Sequence, residues 1–146
     1  MKTFRSLALS CSVAVLLAGC GTSPEASFTE AGKAFAAHRY SQARAGLVNV
    51  LQQQPDNVAA LDMAARVNLA RPDGIGAIAM LDRLERLGKL PRDAAELYGE
   101  AELVEGRFDA ALRRVEGANS AEAWRIRAMA LIGKGDIDGA RNAFAT

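Results

Sequence analysis

Histidine, cysteine and aromatic side chains are all scarce in this chain of 146 residues, which has one His, two Cys and 5% aromatics. A structural zinc site draws about four ligands from Cys and His, more than the sequence can supply. A hydrolytic triad needs a base held between a nucleophile and an orienting group. The sole histidine, His38, falls in a predicted tight turn between two helices, where a local hydrogen bond is its expected role. Glu96 and Glu100 lie four residues apart, a pairing to weigh because glycosidases use two carboxylates. With so few aromatics there is no wall to hold a sugar beside them, and acidic pairs at this spacing are ordinary on solvated helix faces. Gly74 and Gly76 have no strand before them and lack the rest of a phosphate-cradling loop. The formal charge is only +1, so nothing pulls the chain toward nucleic acid. These absences predict a protein that is not an enzyme and carries no cofactor or metal.

What is present begins at the amino end. Residues 7–17 read LALSCSVAVLL, preceded by Lys2 and Arg5, the length and charge of a signal-peptide core and too short to span a bilayer. Leu17-Ala18-Gly19-Cys20 closes it, and Gly21, Thr22, Ser23 and Pro24 follow, poor material for continuing a helix. This arrangement resembles the lipobox of bacterial lipoproteins. The resemblance implies that residues 1–19 are removed, that Cys20 takes a thioether-linked diacylglycerol, and that its new amino group is acylated. Each buried methylene would add about 0.8 kcal/mol, so the anchor holds stably. Gly21 in place of the aspartate that marks inner-membrane retention implies the outer membrane, on its periplasmic face. With Lys2 and Arg5 gone, 16 basic side chains face 17 acidic ones, a net of −1. Cys11 leaves with the leader and Cys20 is consumed, so the mature chain has no thiol for a disulfide and depends on packing alone. Residues 20–27 form a tether and 28–146 the domain.

The domain is rich in Ala, Leu, Arg and Glu, with few runs of β-formers, and predicts helix throughout. Ala43, Ala77 and Ala111 are spaced by 34 residues, and Ala140 follows after 29. Ala31, Ala65, Gly99 and Ala128 repeat the same intervals of 34, 34 and 29. A turn and a larger side chain recur in step: His38-Arg39-Tyr40, Gly106-Arg107-Phe108 and Gly135-Asp136-Ile137, with Pro72-Asp73-Gly74 in the second unit. Small residues at fixed places mark close crossings within helix hairpins, while Leu47, Leu81, Val115 and Phe144 fill the space toward the next hairpin. One hairpin cannot bury its apolar side alone, so neighbours must stack.

This pattern resembles the tetratricopeptide repeat, with Pro55-Asp56-Asn57 as a unit ending and Trp124 and Ala128 at the Trp and small positions of the last unit. It implies an all-α fold, a TPR-like α-solenoid of antiparallel helix hairpins with about 3.5 to 4 repeats. Helices are predicted near 26–37, 41–53, 57–70, 75–87, 92–104, 108–115, 120–133 and 137–146. Asn57, Ser120 and Asp136 are expected caps, and Pro91 suits the first turn of the fifth helix. The third unit is five residues short, so stacking should be irregular near 115–121. The last repeat stops early, leaving Ile137 and Phe144 poorly covered.

In that family the first helix of each unit lines a concave groove. Carried onto this chain, the groove residues are Phe28 and Phe35; Asp62, Arg66 and Leu69; Glu96, Glu100 and Leu103; and Arg125 and Met129. Asp93 and Glu122 stand at further groove positions. The places of the family's carboxylate clamp hold Gly32, Arg66, Glu100 and Met129, which argues against recognition of a terminal carboxylate. The resemblance implies a scaffold that binds other envelope proteins or peptide segments during assembly of a pilus, a secretion system or a polysaccharide exporter. Two further readings stay open: a peptidoglycan- or glycan-associated accessory protein or enzyme, and a structural spacer that self-associates through its carboxyl end.

Overall fold

The computed structural model describes residues 23–144; the leader, Cys20 and the segment to residue 22 lie outside the described residues, as does the side chain of Phe144. Eight helices follow in order: α1 (Pro24–Ala36), α2 (Tyr40–Gln53), α3 (Val58–Ala70), α4 (Gly74–Arg86), α5 (Ala94–Val104), α6 (Phe108–Arg114), α7 (Ala121–Lys134) and α8 (Ile137–Phe144). Five of the eight starts carry a side-chain cap. Ser23, Asn57, Asp73 and Ser120 each accept a hydrogen bond from the backbone N–H three residues on, at 3.2, 3.0, 2.8 and 3.0 Å. Asp136 accepts likewise from Gly139 at 2.9 Å. Such caps satisfy donors that the helix itself leaves open, contributing about 1 kcal/mol apiece. Pro91 differs from expectation. It sits ahead of α5 in a turn closed by Ala94 N–H to its carbonyl at 3.1 Å, and the helix begins only at Ala94.

Consecutive helices pair as antiparallel hairpins, α1 with α2, α3 with α4, α5 with α6, and α7 with α8, and the hairpins stack as a solenoid-like row. The period is written into the hydrogen bonds of the turns. Arg39, Asp73, Arg107 and Asp136 each donate their backbone N–H to the carbonyl five residues back, at 2.8, 2.9, 2.8 and 2.9 Å. In three of the four turns this closure has a left-handed residue at the bend. His38, Gly106 and Gly135 occupy it, with φ of 57°, 68° and 82°. His38 Nδ1 lies 2.7 Å from the Tyr40 hydroxyl, the local hydrogen bond its place in the turn implies.

Small residues stand at the crossings. Ala31, Ala43, Ala65, Ala77, Ala111, Ala128 and Ala140 are all buried. At Gly99 a Cβ would lie 2.9 Å from Val115 Cγ1 and 3.2 Å from Ile126 Cγ2, so not even alanine fits without movement. Leu47, Leu81 and Val115 are fully buried between hairpins. The core is accordingly divided. One cluster joins Leu47 and Val50 to Ala60 and Val67. The next joins Leu61, Leu81 and Leu84 to Leu97 and Tyr98. A third joins Ala111 and Val115 to Ile126 and Ala130. Each cluster spans one junction between neighbouring hairpins, as expected of a stack held by nearest-neighbour contacts.

The five residues missing from the third unit are taken out of α6, which has seven residues against 14 in α2 and 13 in α4. The chain then crosses to α7 through Gly117 at φ 76°. Arg127 of α7 pins that crossing by donating to the carbonyls of Val115 and Ala118, while its guanidinium lies 4.4 Å from the Trp124 ring centre. Odd-numbered helices also touch one another, α1 with α3, α3 with α5 and α5 with α7, whereas no two even-numbered helices meet among the described residues. The odd-numbered helices therefore form the more closely packed side of the row, here called its inner side. None of the helices among the described residues is long and apolar enough to cross a membrane.

Candidate functional site

A concavity of about 580 Å³ opens on the inner side, where α3, α5 and α7 come together. Its floor is apolar, with Leu69 from the end of α3 and Leu97 from α5, and exposed Ala70 stands beside them. Charged groups ring it: Arg66, Asp93, Glu96, Glu100, Glu122 and Arg125, with the Ser120 hydroxyl between them.

The two arginines are held in closely related ways. Arg66 reaches Asp62 on its own helix at 3.2 Å and makes a two-pronged contact with Asp93, at 2.9 and 3.0 Å, across to α5. Arg125 reaches Glu122 on its own helix at 2.7 Å and donates to Glu100 on α5. Each guanidinium thus bridges an acid of its own helix and an acid of α5. Hydrogen bonding to Asp93, opposed by partial burial and reinforced by Asp62, raises the pKa of Arg66 above its ordinary value. Arg66 in turn holds the Asp93 carboxyl below the usual aspartate range. Glu122, again opposed by partial burial and then joined by Glu100, raises Arg125 likewise. Between these two triads stands Glu96, whose hydrogen-bond partner is the Ser120 hydroxyl at 2.7 Å. That hydroxyl also accepts the Ala123 N–H, capping α7.

Of the groove residues expected from sequence, Arg66, Leu69, Glu96, Glu100 and Arg125 line this concavity together, and Asp62 joins them through Arg66. Phe28 and Phe35 instead lean half-buried against the first core cluster. Leu103 packs against the third cluster. Met129 is 43% exposed and lies outside the concavity. Two lining residues had no such expectation. Leu97 sits in the floor, and Ser120 was visible only as a cap. No signal in the sequence marks the second task of Ser120, because the acceptor it meets is 24 residues earlier on a different hairpin.

The carboxylate of Glu100 is engaged by a guanidinium and that of Glu96 by a hydroxyl. Among the described residues no group of His, Cys, Asp and Glu side chains could hold a metal ion. His38 stands in the first hairpin turn, while the concavity is built from the later hairpins. No protein-family model matches the chain, and no curated protein is similar enough to it to serve as a relative.

Proposed function

We propose that this protein is a tetratricopeptide-like scaffold, anchored by lipid at Cys20 to the periplasmic face of the outer membrane, that captures segments of other envelope proteins during assembly of an envelope machine. It works by binding alone, with no catalytic step. The observation that carries this role is the concavity on the inner helices: an apolar floor, a rim of charges fixed in direction, and walls from three separate hairpins. Such a surface suits an extended or helical segment, with the apolar floor supplying affinity and the rim fixing register. The anchor is supported by Leu17-Ala18-Gly19-Cys20 and the basic pair before it.

A photo-crosslinking side chain at Ala70, which is exposed and lines the concavity, tests the binding role in native cells. A discrete crosslinked protein at Ala70, missing from the same probe at Gln52 on the exposed part of α2, is the expected result. Equal labelling at both sites would sink the groove. Cys20→Ala tests the anchor separately: the variant should leave the outer-membrane fraction, and its firm retention there would end the lipid assignment.

Exposed Met129, Ile132 and Ile137 favour one second reading, a spacer that self-associates through the last hairpin. Light scattering over a dilution series separates the two, since only the spacer changes mass with concentration.

A further inference from the structure

The rim of the concavity is unequal in charge. Four carboxylates (Asp93, Glu96, Glu100 and Glu122) face two guanidiniums, a net of −2. Neither guanidinium is open to a new anion, because Arg66 is bracketed by Asp62 and Asp93 and Arg125 by Glu100 and Glu122. An acidic ligand would have to displace a carboxylate already in place. The acids are also ordered. Asp93, Glu96 and Glu100 are spaced three and four apart, one stripe leading into and along α5, and the outer two each take an arginine. The middle one has a hydroxyl partner and no cation. An entirely apolar segment laid over this floor would strip water from Glu96 and return no opposite charge. A lysine or arginine side chain meets both demands: its methylene stem covers apolar floor while its head reaches the carboxylate.

Building on the scaffold role, we propose that the occupant is a basic segment of a partner protein, with one Lys or Arg head paired to Glu96 and its stem lying across Leu69 and Leu97. The neutralised arginines on either side set the spacing. They leave Glu96 as the one rim carboxylate without a cation, and the surplus of carboxylates around them disfavours acidic neighbours at the flanks.

The test uses the full chain in a non-ionic detergent and three fluorescent dodecapeptides of alternating sequence: lysine–alanine, glutamate–alanine and glutamine–alanine. Anisotropy should show the lysine peptide binding best, with affinity falling steeply as salt is added. Glu96→Gln should weaken that peptide about tenfold and leave the glutamine peptide unchanged, and Glu96→Asp should restore part of the loss. Equal binding of all three peptides, or indifference to Glu96→Gln, overturns the basic partner while leaving a groove that binds protein. Displacement of the lysine peptide by spermidine at the same molar concentration also overturns it, since any small polycation would then serve. Absence of binding by every peptide overturns it too, and the crosslink at Ala70 judges the scaffold role independently. Discrimination among peptides by the unsubstituted chain needs no variant to fold.

Discussion

Asp93 occupies the capping position of α5, yet its carboxylate turns away from that helix to take both Nη atoms of Arg66, at 2.9 and 3.0 Å. A local cap is exchanged for a link between the second and third hairpins. A two-pronged guanidinium–carboxylate contact is stronger than an ordinary surface pair, though both partners here are partly exposed. Asp93→Ala should therefore lower stability by about 1 kcal/mol. Asp93→Asn should cost less, because an asparagine released from Arg66 can cap α5. Urea unfolding of the two variants checks the order, and equal losses would show that the cap plays no part.

The same pair fixes a pH dependence. Arg66 lowers the Asp93 pKa in the folded state, so the unfolded chain takes up the proton first as pH falls. The stabilisation is complete above the ordinary aspartate value of about 3.9. It shrinks below that point and is gone once pH passes beneath the folded-state value. The urea midpoint should fall as pH drops below about 4, and Asp93→Ala should flatten part of that fall. An unchanged slope in the variant would assign the acid sensitivity elsewhere.

Gly74 and Gly99 should both resist replacement, for different reasons. A Cβ on Gly74 would run into the Ala101 carbonyl oxygen, a backbone atom that cannot rotate away. At Gly99 the obstacle is the branched Val115 side chain at 2.9 Å. Alanine gains about 1 kcal/mol of helix propensity over glycine, which offsets part of either clash. Overpacking costs about 1–3 kcal/mol, so Gly99→Ala should end near 1 kcal/mol less stable. Gly74→Ala should lose more. Thermal melts suffice, and a stabilised Gly74→Ala would mean that α4 does not approach α5 so closely.

Hairpin turns offer a test in which the sign reverses. His38 and Gly135 share one backbone position, with φ of 57° and 82°. A left-handed residue with a Cβ is strained by about 1–2 kcal/mol. His38→Gly should therefore stabilise the protein by about 0.5–1 kcal/mol, the exposed contact with Tyr40 and the added freedom of the unfolded glycine taking back the rest. Gly135→Ala should destabilise it by about 1 kcal/mol. Melting points moving in the same direction would refute the equivalence of the two turns.

What repeats along the chain was legible in advance. The alanine series located the crossings because the same close approach recurs in each hairpin, and the turn residues marked where the chain reverses. Contacts special to one junction carry no period and were hidden. Gly74 reads as the end of a hairpin turn until Ala101 is brought over it. Asp93 reads as one more groove position, and its tie to Arg66 from 27 residues earlier carries no period. The shortfall of five residues was countable, and the short helix expected at 108–115 already placed it in α6. At the concavity, a shared register placed Arg66, Glu96, Glu100 and Arg125 on inner helices. The pairing that closes both arginines and leaves Glu96 with a hydroxyl comes from three helices meeting, which no single helix records.

The shortened α6 should be the first helix to open. Seven residues cannot sustain a helix unaided. Buried Glu102 on α5 holds its two ends, accepting from Arg107 before the helix and standing 3.9 Å from Arg114 in its last turn. The Arg114 guanidinium also lies 4.1 Å from the centre of the Tyr98 ring. The Tyr98 hydroxyl donates to Asp82 on α4 at 2.9 Å, extending the network to the second hairpin. Burial, followed by that hydrogen bond and the charges of Asp82 and Glu85, pushes the phenol above its ordinary range and keeps it a donor. Glu102→Gln removes the charge and keeps the shape. Because both arginines are more than 40% exposed, they can regain water, so the loss should be about 1–2 kcal/mol rather than the larger cost of stranding a buried cation. Hydrogen exchange should show amides of residues 108–114 losing protection well before those of α3 and α4. Uniform loss along the whole chain would instead make the stack a single cooperative unit, with Glu102 no more local than any core leucine.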